Sequence, residues 1–440
     1  MNFIEFFKWF DDLIALPAVI IFLGTGLLLT FKLRFLQFHG IARLITIIKN
    51  GLPAASQKDA NHITHMISPF QALCTAMGTT IGMGNLMGPP LAVFIGGPGA
   101  LFWLMVYIFF SSATKFTEVV FALHTRIKSA SGEIIGGPMR YLEVVHPYLA
   151  HWYACIMLFV FISWSSVQSN TIAQVYAQEG MPIWLTGFII TSLAYLVLIG
   201  GSERVGETAS KLVPFMFFFY VIFALVFLFQ DIPALKNALI LICKSAFTPS
   251  AAVGGAVGAS IYQAMRMGFY KGIFITEAGM GTSSIPHAVA NVQYATDQGL
   301  LAMFSMVSDA LLSMLSGMLV LVNGVWMQGE FRSTLLYEVF VLKSPLLGKY
   351  VFLITITLFV FTTLIGNSYN GRQVFGALTN FRYVNSYLII SMILIFCATL
   401  VQPKIVWGFM EFLLPFVAIP NLIGLLILAY RYPHVLQVHK

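Results

Sequence analysis

Residues able to do chemistry are sparse in this sequence, and those present gather in two places. The first is Thr75-Ala76-Met77-Gly78-Thr79-Thr80-Ile81-Gly82-Met83-Gly84-Asn85, with Gly88-Pro89-Pro90 just after it. The second holds Gly254-Gly255 and Gly258, then Gly268, Gly272, Glu277, Gly279 and Gly281. Neither has the parts for making or breaking bonds. No nucleophile–base constellation, HExxH pair or paired catalytic carboxylate occurs, so an enzyme is not indicated. The four cysteines, Cys74, Cys155, Cys243 and Cys397, have no CxxC pairing and no histidine at ligand spacing. They indicate neither a disulfide framework nor a zinc site, and are read as small packing residues. What these glycines and prolines can do is interrupt a helix. Carbonyls freed in this way can ligate Na⁺, and exposed N–H groups or helix N-termini can hold a carboxylate.

The elements around these residues are apolar. Of 440 residues, 58% are hydrophobic and 9% charged, against roughly 25% charged in soluble domains. Mean hydropathy is +0.85. A chain with so little charge cannot cover a water-facing surface. Crossing a bilayer takes about 20 apolar residues. Runs of that kind lie near 12–31, 68–95, 99–123, 150–177, 183–200, 210–230, 252–285, 299–326, 350–378, 385–402 and 406–430, eleven in all. Lipid-exposed backbone is tolerated only in helices and closed barrels, and no ten-residue alternating pattern favours a barrel. The sequence therefore predicts an all-α polytopic membrane protein forming one unit over 1–440. Glu5, Asp11 and Asp12 replace the basic start of a signal peptide, so the first run is read as a retained span.

Charge orients the bundle. With the N-terminus outside, fourteen Lys and Arg fall in inner loops and seven in outer ones, five of the fourteen in the first loop. The positive-inside rule then gives N-terminus out, C-terminus in. The net charge of +7 is spread over short loops and carries no nucleic-acid signal.

Glycines four apart, such as Gly78/Gly82 and Gly84/Gly88, also describe plain close packing of helices. Their paired placement favours a site. The two glycine-rich runs are five spans apart and enter from opposite sides, as inverted repeats of spans 2–6 and 7–11 require. Span 1 and its loop (1–65) would precede repeats at 66–230 and 250–432. Residue-level similarity between the halves is not evident. Glu277 and Asp309 are costly inside a membrane and default to a functional or paired role, including proton or charge relay. Arg266 or Lys115 could equally neutralise Glu277. His287 reads as a solvated or loop-anchoring residue near the inner end of span 7.

Around these segments the sequence resembles the alanine/glycine:cation symporter family. The resemblance rests on Phe70-Gln71-Ala72-Leu73, Gly82-Met83-Gly84-Asn85, Gly96-Gly97-Pro98-Gly99-Ala100 and Ala113-Thr114-Lys115-Phe116 with Glu118. It continues through Gly136-Gly137-Pro138-Met139, Glu277-Ala278-Gly279-Met280-Gly281, His287-Ala288 and Phe361-Thr362-Thr363-Leu364-Ile365-Gly366. It implies a LeuT-like 5+5 inverted repeat, as in the neurotransmitter:sodium symporters, and symport of Na⁺ with a small neutral amino acid in a bacterial inner membrane. Na⁺ would be the coupling ion, with no other cofactor. It also implies roles. Main-chain oxygens of Gly78 and Ile81 with hydroxyls of Thr362 and Thr363 would hold Na⁺, and Asn85 would serve a second cation or the substrate. Thr79, Thr80 and Gly84 would meet the substrate carboxylate, Gln168 would face the substrate, and Phe274, Ile275, Thr276 and Glu277 would line the opposite wall. A glutamine here serves equally to bridge helices, and each threonine can bond its own preceding turn.

The chain departs from the family's pattern at Ile275-Thr276, at Asn367 where a Trp is usual, at Asn370 where an aromatic is common, and at Met83. Losing a Trp implies a larger, more polar pocket and a substrate range not confined to alanine. Proton coupling through Glu277 or Asp309 is the alternative coupling. A passive channel is the alternative class, although no charged ring or filter loop is present.

Overall fold

The computed structural model describes residues 3–51, 66–130, 132–248, 260–327 and 335–438. Helix dominates from the first described residue. A long helix α1 (Phe3–Lys32) ends in a turn, and two short ones follow, α2 (Leu36–His39) and α3 (Ile41–Asn50). Next come α4 (Pro69–Thr80), α5 (Met83–Gly96) and α6 (Ala100–His124). A two-residue ribbon pairs β1 (Ile127–Lys128) with β2 (Ile134–Ile135), antiparallel, a feature the apolar pattern does not announce. Beyond it lie α7 (Pro138–Val145), α8 (Pro147–Gln178), α9 (Ile183–Leu198), α10 (Gly201–Phe229) and α11 (Ile232–Phe247). The second half holds α12 (Ile261–Thr276), α13 (Ser284–Ala288), α14 (Ala295–Val322), α15 (Leu335–Lys343), α16 (Leu347–Thr379), α17 (Val384–Thr399) and α18 (Pro403–Arg431).

By length and apolar composition α6, α8, α10, α14, α16 and α18 can each cross a membrane, and Leu16–Lys32 joined to Leu36–Asn50 adds a bent pair. The remaining apolar runs are the shorter α9 and α17 and two interrupted helices, α4–α5 and α12–α13. Every apolar run thus contains helix. Shorter helices lie between the runs (α2, α3, α7 and α15), and one of 16 residues: α11 occupies a stretch read from sequence as a loop, started by Pro233 and by Asp231, whose carboxylate accepts from the Ala234 N–H at 2.9 Å. Gly254, Gly255 and Gly258 lie outside the described residues.

The interior of the bundle is mainly apolar but also takes in charge. Lys115, Glu118, Glu277 and Asp309 are buried, while many Phe, Leu and Ile side chains on α9, α10 and α17 face outward. That arrangement fits a lipid exterior. Cys74 packs inside, but Cys155, Cys243 and Cys397 are exposed on apolar faces and do not serve as core packing.

Local signals explain the helix starts. Pro69 opens α4, and Ser68 and Gln71 cap it reciprocally, at 3.1 Å and 2.9 Å. Ser260 caps α12 through the Gln263 N–H at 3.1 Å.

At the far end of α8, Glu179 pairs with Lys349 and accepts from the Tyr337 hydroxyl, tying α8 to α15 and α16. These hydrogen bonds, Lys349 first, hold the Glu179 carboxyl below the ordinary glutamate range. A depressed pKa contributes stability that is fully present above the unfolded value, about 4.3, and is lost as pH falls through the folded one. Thermal unfolding of the detergent-solubilised protein should therefore show Lys349→Gln less stable than wild type at neutral pH. The difference should vanish on acidification below the glutamate range.

Candidate functional site

The first interruption lies between α4 and α5 at Ile81 and Gly82, both extended, and not at Gly88-Pro89-Pro90, which stays helical. Its exposed backbone groups find side chains. The Gly82 N–H donates to Asn85 Oδ1 at 3.3 Å, and the Met83 N–H to Gln168 Oε1 of α8 at 3.1 Å. The Ile81 carbonyl accepts from the Thr363 hydroxyl of α16 at 3.1 Å. A Cβ on Gly82 would stand 2.5 Å from Thr363 Oγ1 and 3.1 Å from Gln168 Nε2, so only glycine lets these two side chains reach the backbone.

The second interruption spans 277–283, between α12 and α13. Glu277 adopts a left-handed conformation with φ 53°, and Gly279 and Gly281 follow with φ 96° and 80°. Here α6 supplies two opposite charges one turn apart. Lys115 Nζ donates to the Thr276 carbonyl, the negative end of α12, at 2.9 Å. Glu118 Oε1 accepts the N–H groups of Gly279 and Gly281 at 3.0 and 2.9 Å and the Asn421 amide of α18 at 3.0 Å. Asn421 also donates to the Gly279 carbonyl at 2.9 Å and accepts from Tyr141 at 2.7 Å. The Tyr153 hydroxyl donates to the Met280 carbonyl at 2.6 Å, and Asn370 to the Thr282 carbonyl at 3.3 Å. Glu277 itself accepts from the Thr282 hydroxyl at 2.6 Å.

The two interrupted helices meet beside their breaks. A Cβ on Gly84 would touch Phe274 and the Ile275 backbone at 3.7–3.9 Å, and one on Gly88 would touch the Ile275 side chain at 3.1 Å. Asn85 reaches Asp309 of α14 at 3.3 Å, and Thr80 lies beside the same carboxylate. Gly366 packs against Thr79, its would-be Cβ 2.6 Å from the Thr79 methyl, so Asn367 lies between that contact and the Asn370 bond to the second interruption. Asn367 is 1% exposed with neither amide atom hydrogen-bonded, and Asp309 Oδ2 and Glu118 Oε2 are likewise buried without a partner among the described residues. Buried polar groups of this kind call for a partner. Gly84 and Phe274 are the half-exposed members, with Phe274 stacked on Trp407 at 5.6 Å between ring centroids.

Gly78, Ile81, Thr362 and Thr363 converge as well. A Cβ on Gly78 would lie 3.6 Å from the Thr362 carbonyl, and the Thr362 hydroxyl stands beside Met216 Sδ at 3.2 Å while bonding the Leu358 carbonyl. The hydroxyls of Thr79, Thr80 and Thr276 bond the turns preceding them, the alternative left open for each. Neither cation named for Glu277 forms an ion pair with it. Lys115 caps the helix end instead, and Arg266 is eleven residues back along α12, about 16 Å away. His287 is buried, its Nδ1 2.7 Å from the Gln298 amide, which also donates to the Pro69 carbonyl; it anchors and is not solvated.

Sequence reasoning gave no role to Glu118, which entered only as part of the resemblance, and passed over Asn421 and Tyr153. Glu118 carried a signal, since a carboxylate inside an apolar run is costly wherever it occurs. Asn421 and Tyr153 carried none. Removing the Glu118 acceptor strands three buried donors, at about 1–3 kcal/mol each. Glu118→Ala should therefore lower the unfolding midpoint sharply, whereas Glu118→Gln, which keeps an acceptor oxygen, should lower it less; differential scanning fluorimetry in detergent measures both.

Long apolar helices around two interrupted ones, with polar groups gathered where the interrupted helices meet, define a polytopic membrane transporter. The model of the sodium:alanine symporter family matches residues 1–440. An uncharacterised transporter of Haemophilus influenzae is 31% identical over 434 residues, covering 97% of this chain and 92% of that one. The sodium/alanine symporter AgcS of Methanococcus maripaludis is 31% identical over 445 residues, covering 98% and 95%. A Bacillus subtilis protein named "Probable sodium/glutamine symporter GlnT" is 30% identical over 422 residues, covering 93% and 85%. In fold, a manganese transporter of Eremococcus coleocola solved as a mutant superposes with a TM-score of 0.52 at 13% identity, over 80% of this chain and 78% of that one.

The chain belongs to the sodium:alanine symporter family. It is a secondary active transporter of small neutral amino acids coupled to an ion, Na⁺ in this family, and not an enzyme.

Proposed function

We propose that the protein couples Na⁺ entry to uptake of a small neutral amino acid by alternating access around the meeting point of the two interrupted helices. The observation carrying this reading is that Gln168 and Thr363 reach the backbone at the Ile81–Gly82 break while Gly84, just beyond it, packs on Phe274 and Ile275. Irregular backbone at membrane depth survives where it lines a site. Na⁺ sits among the main-chain oxygens of Gly78 and Ile81 and the hydroxyls of Thr362 and Thr363, all hard oxygen donors. Asn85 and Asp309 form a second polar pair that serves a further cation or the substrate. The substrate carboxylate lies against Thr79, Thr80 and Gly84, with Gln168 on one side and Phe274, Ile275, Thr276 and Asn367 on the other.

The architecture we assign is eleven spans, with α4–α5 to α10 and α12–α13 to α18 as inverted repeats at 66–230 and 250–432 after the extra residues 1–65, in a bacterial inner membrane. The N-terminus is outside and the C-terminus inside. The alternation of the spans, as distinct from their orientation, is supported by contacts that join ends given the same side: Arg43 with Asp297, Arg126 with the Ala288 and Ala290 carbonyls, and Glu133 with Arg372 on one; Glu179 with Lys349 and Gln263 with the Ile95 carbonyl on the other.

One Na⁺ crossing a 100 mV potential supplies about 2.3 kcal/mol, roughly fiftyfold accumulation. In proteoliposomes an inward Na⁺ gradient should drive saturable uptake that Thr363→Ala and Gln168→Ala abolish while both variants remain folded. Uptake without Na⁺ that follows a pH gradient would transfer the coupling to Glu277 or Asp309. Flux without counterflow of labelled substrate would make the protein a channel.

The unpartnered Asn367 amide supports a pocket that accepts more polar or larger side chains than alanine. Across a panel of small neutral amino acids, Asn367→Trp should narrow selectivity toward alanine and glycine. If alanine is already best in wild type and the substitution changes nothing, that assignment fails.

A further inference from the structure

Where α1 ends, Arg34 and Phe35 both take left-handed backbone, with φ 52° and 59°, and the helix axis swings by 61° into α2 and α3. The turn is closed by the Phe35 N–H on the Thr30 carbonyl at 2.9 Å, and Gln37 braces it on the Thr30 hydroxyl and the Phe109 carbonyl. After the swing the chain no longer runs along the bundle. Leu44 and Ile47 pack toward the protein, while Ile41, Ile45 and Ile48, at i, i+4 and i+7, form an exposed stripe continuous with exposed Phe35 and Phe38. An apolar stripe on a helix bent away from the spans is the form of an element lying in the membrane interface.

On the polar side of α3 opens a cavity of about 890 Å³, walled by the end of α1, the turn, α3 and residues 433–438. Its cations are Lys32, Arg34 and Arg43, and among the described residues no acidic side chain lines it. Arg43 is held in place by a bidentate pair with buried Asp297, at 2.7 and 3.0 Å, and the Lys32 ammonium stands 4.0 Å above the Tyr430 ring. Leu33, Leu436 and Val438 give the same cavity an aliphatic side. Cations beside aliphatic wall, at the level of an interfacial helix, match a molecule with an anionic head and an apolar body.

We propose that this cavity binds the headgroup of an anionic phospholipid of the inner leaflet, with Lys32 and Arg34 on the phosphate and the acyl chains against the aliphatic wall. The leaflet follows from the orientation given above; the lipid chemistry does not depend on it.

The test gives the purified full-length protein an equal mixture of phosphatidylcholine and phosphatidylglycerol and measures retained lipid by native mass spectrometry. Wild type should retain phosphatidylglycerol preferentially. Lys32→Gln with Arg34→Gln should reduce that preference by about thirtyfold, roughly fivefold for each cation. Lys49→Gln, on α3 outside the cavity, should keep it, and uptake in vesicles of phosphatidylcholine alone should be equal for all three proteins, which reports that they are folded. No preference in wild type, or equal retention by the double variant, overturns the proposal. So does displacement of the lipid by inorganic phosphate, which would make this a site for a free anion. Labelling of Lys49→Cys from outside intact cells would instead overturn the orientation and leave the lipid site standing.

Discussion

Backbone N–H and C=O groups inside hydrocarbon must be paired, because water is not there to take them. Each interruption in this bundle frees several such groups at once, and the surrounding helices are built to receive them. Gln168 of α8 and Thr363 of α16 take the N–H and C=O freed around Ile81–Met83. Lys115 and Glu118 of α6, Asn421 of α18, Tyr153 of α8 and Asn370 of α16 take those freed in 276–282. Without those partners neither interruption would be tenable at this depth, and without the interruptions there would be no backbone oxygens to offer a cation.

The pairing of Lys115 and Glu118 follows the polarity of what they hold. The ammonium faces the carbonyl at the end of α12, and the carboxylate faces successive N–H groups presented by two left-handed glycines. The anion-binding concavity of the second interruption is thus filled by the protein's own carboxylate. That leaves the first interruption, beside half-exposed Gly84, as the one we propose receives a substrate carboxylate. The side chains that hold the interruptions come from α6, α8, α16 and α18, so relative movement of these helices would alter both interruptions together, as coupling one solute to another requires.

Much of this was legible in the sequence because the bilayer constrains composition so tightly. Runs of about 20 apolar residues located the helices, and glycine density located both interruptions. Proline was less informative than it looks: Pro89 and Pro90 sit inside α5, whereas the chain opens at Ile81–Gly82. Helix α11 was missed because Lys236, Asn237 and Lys244 break its apolar run well short of the roughly 20 residues taken as a span. At the site, the grouping of Gly78, Ile81, Thr362 and Thr363 followed from a resemblance and not from spacing, since α4 and α16 are nearly 300 residues apart in the chain. Asn421 and Tyr153 were illegible for a related reason: a single amide or phenol in an apolar run has no periodic context to reveal what it will face.

On the proposed coupling, Na⁺ bound at Gly78 and Ile81 also fixes the second interruption through the helices the two share, and amide hydrogen exchange of the purified protein in Na⁺ against K⁺ reads this. Na⁺ should slow exchange over 78–85 and 277–283 together, with the neighbouring helices changing little. Exchange at both segments that is the same in Na⁺ and K⁺ would contradict it.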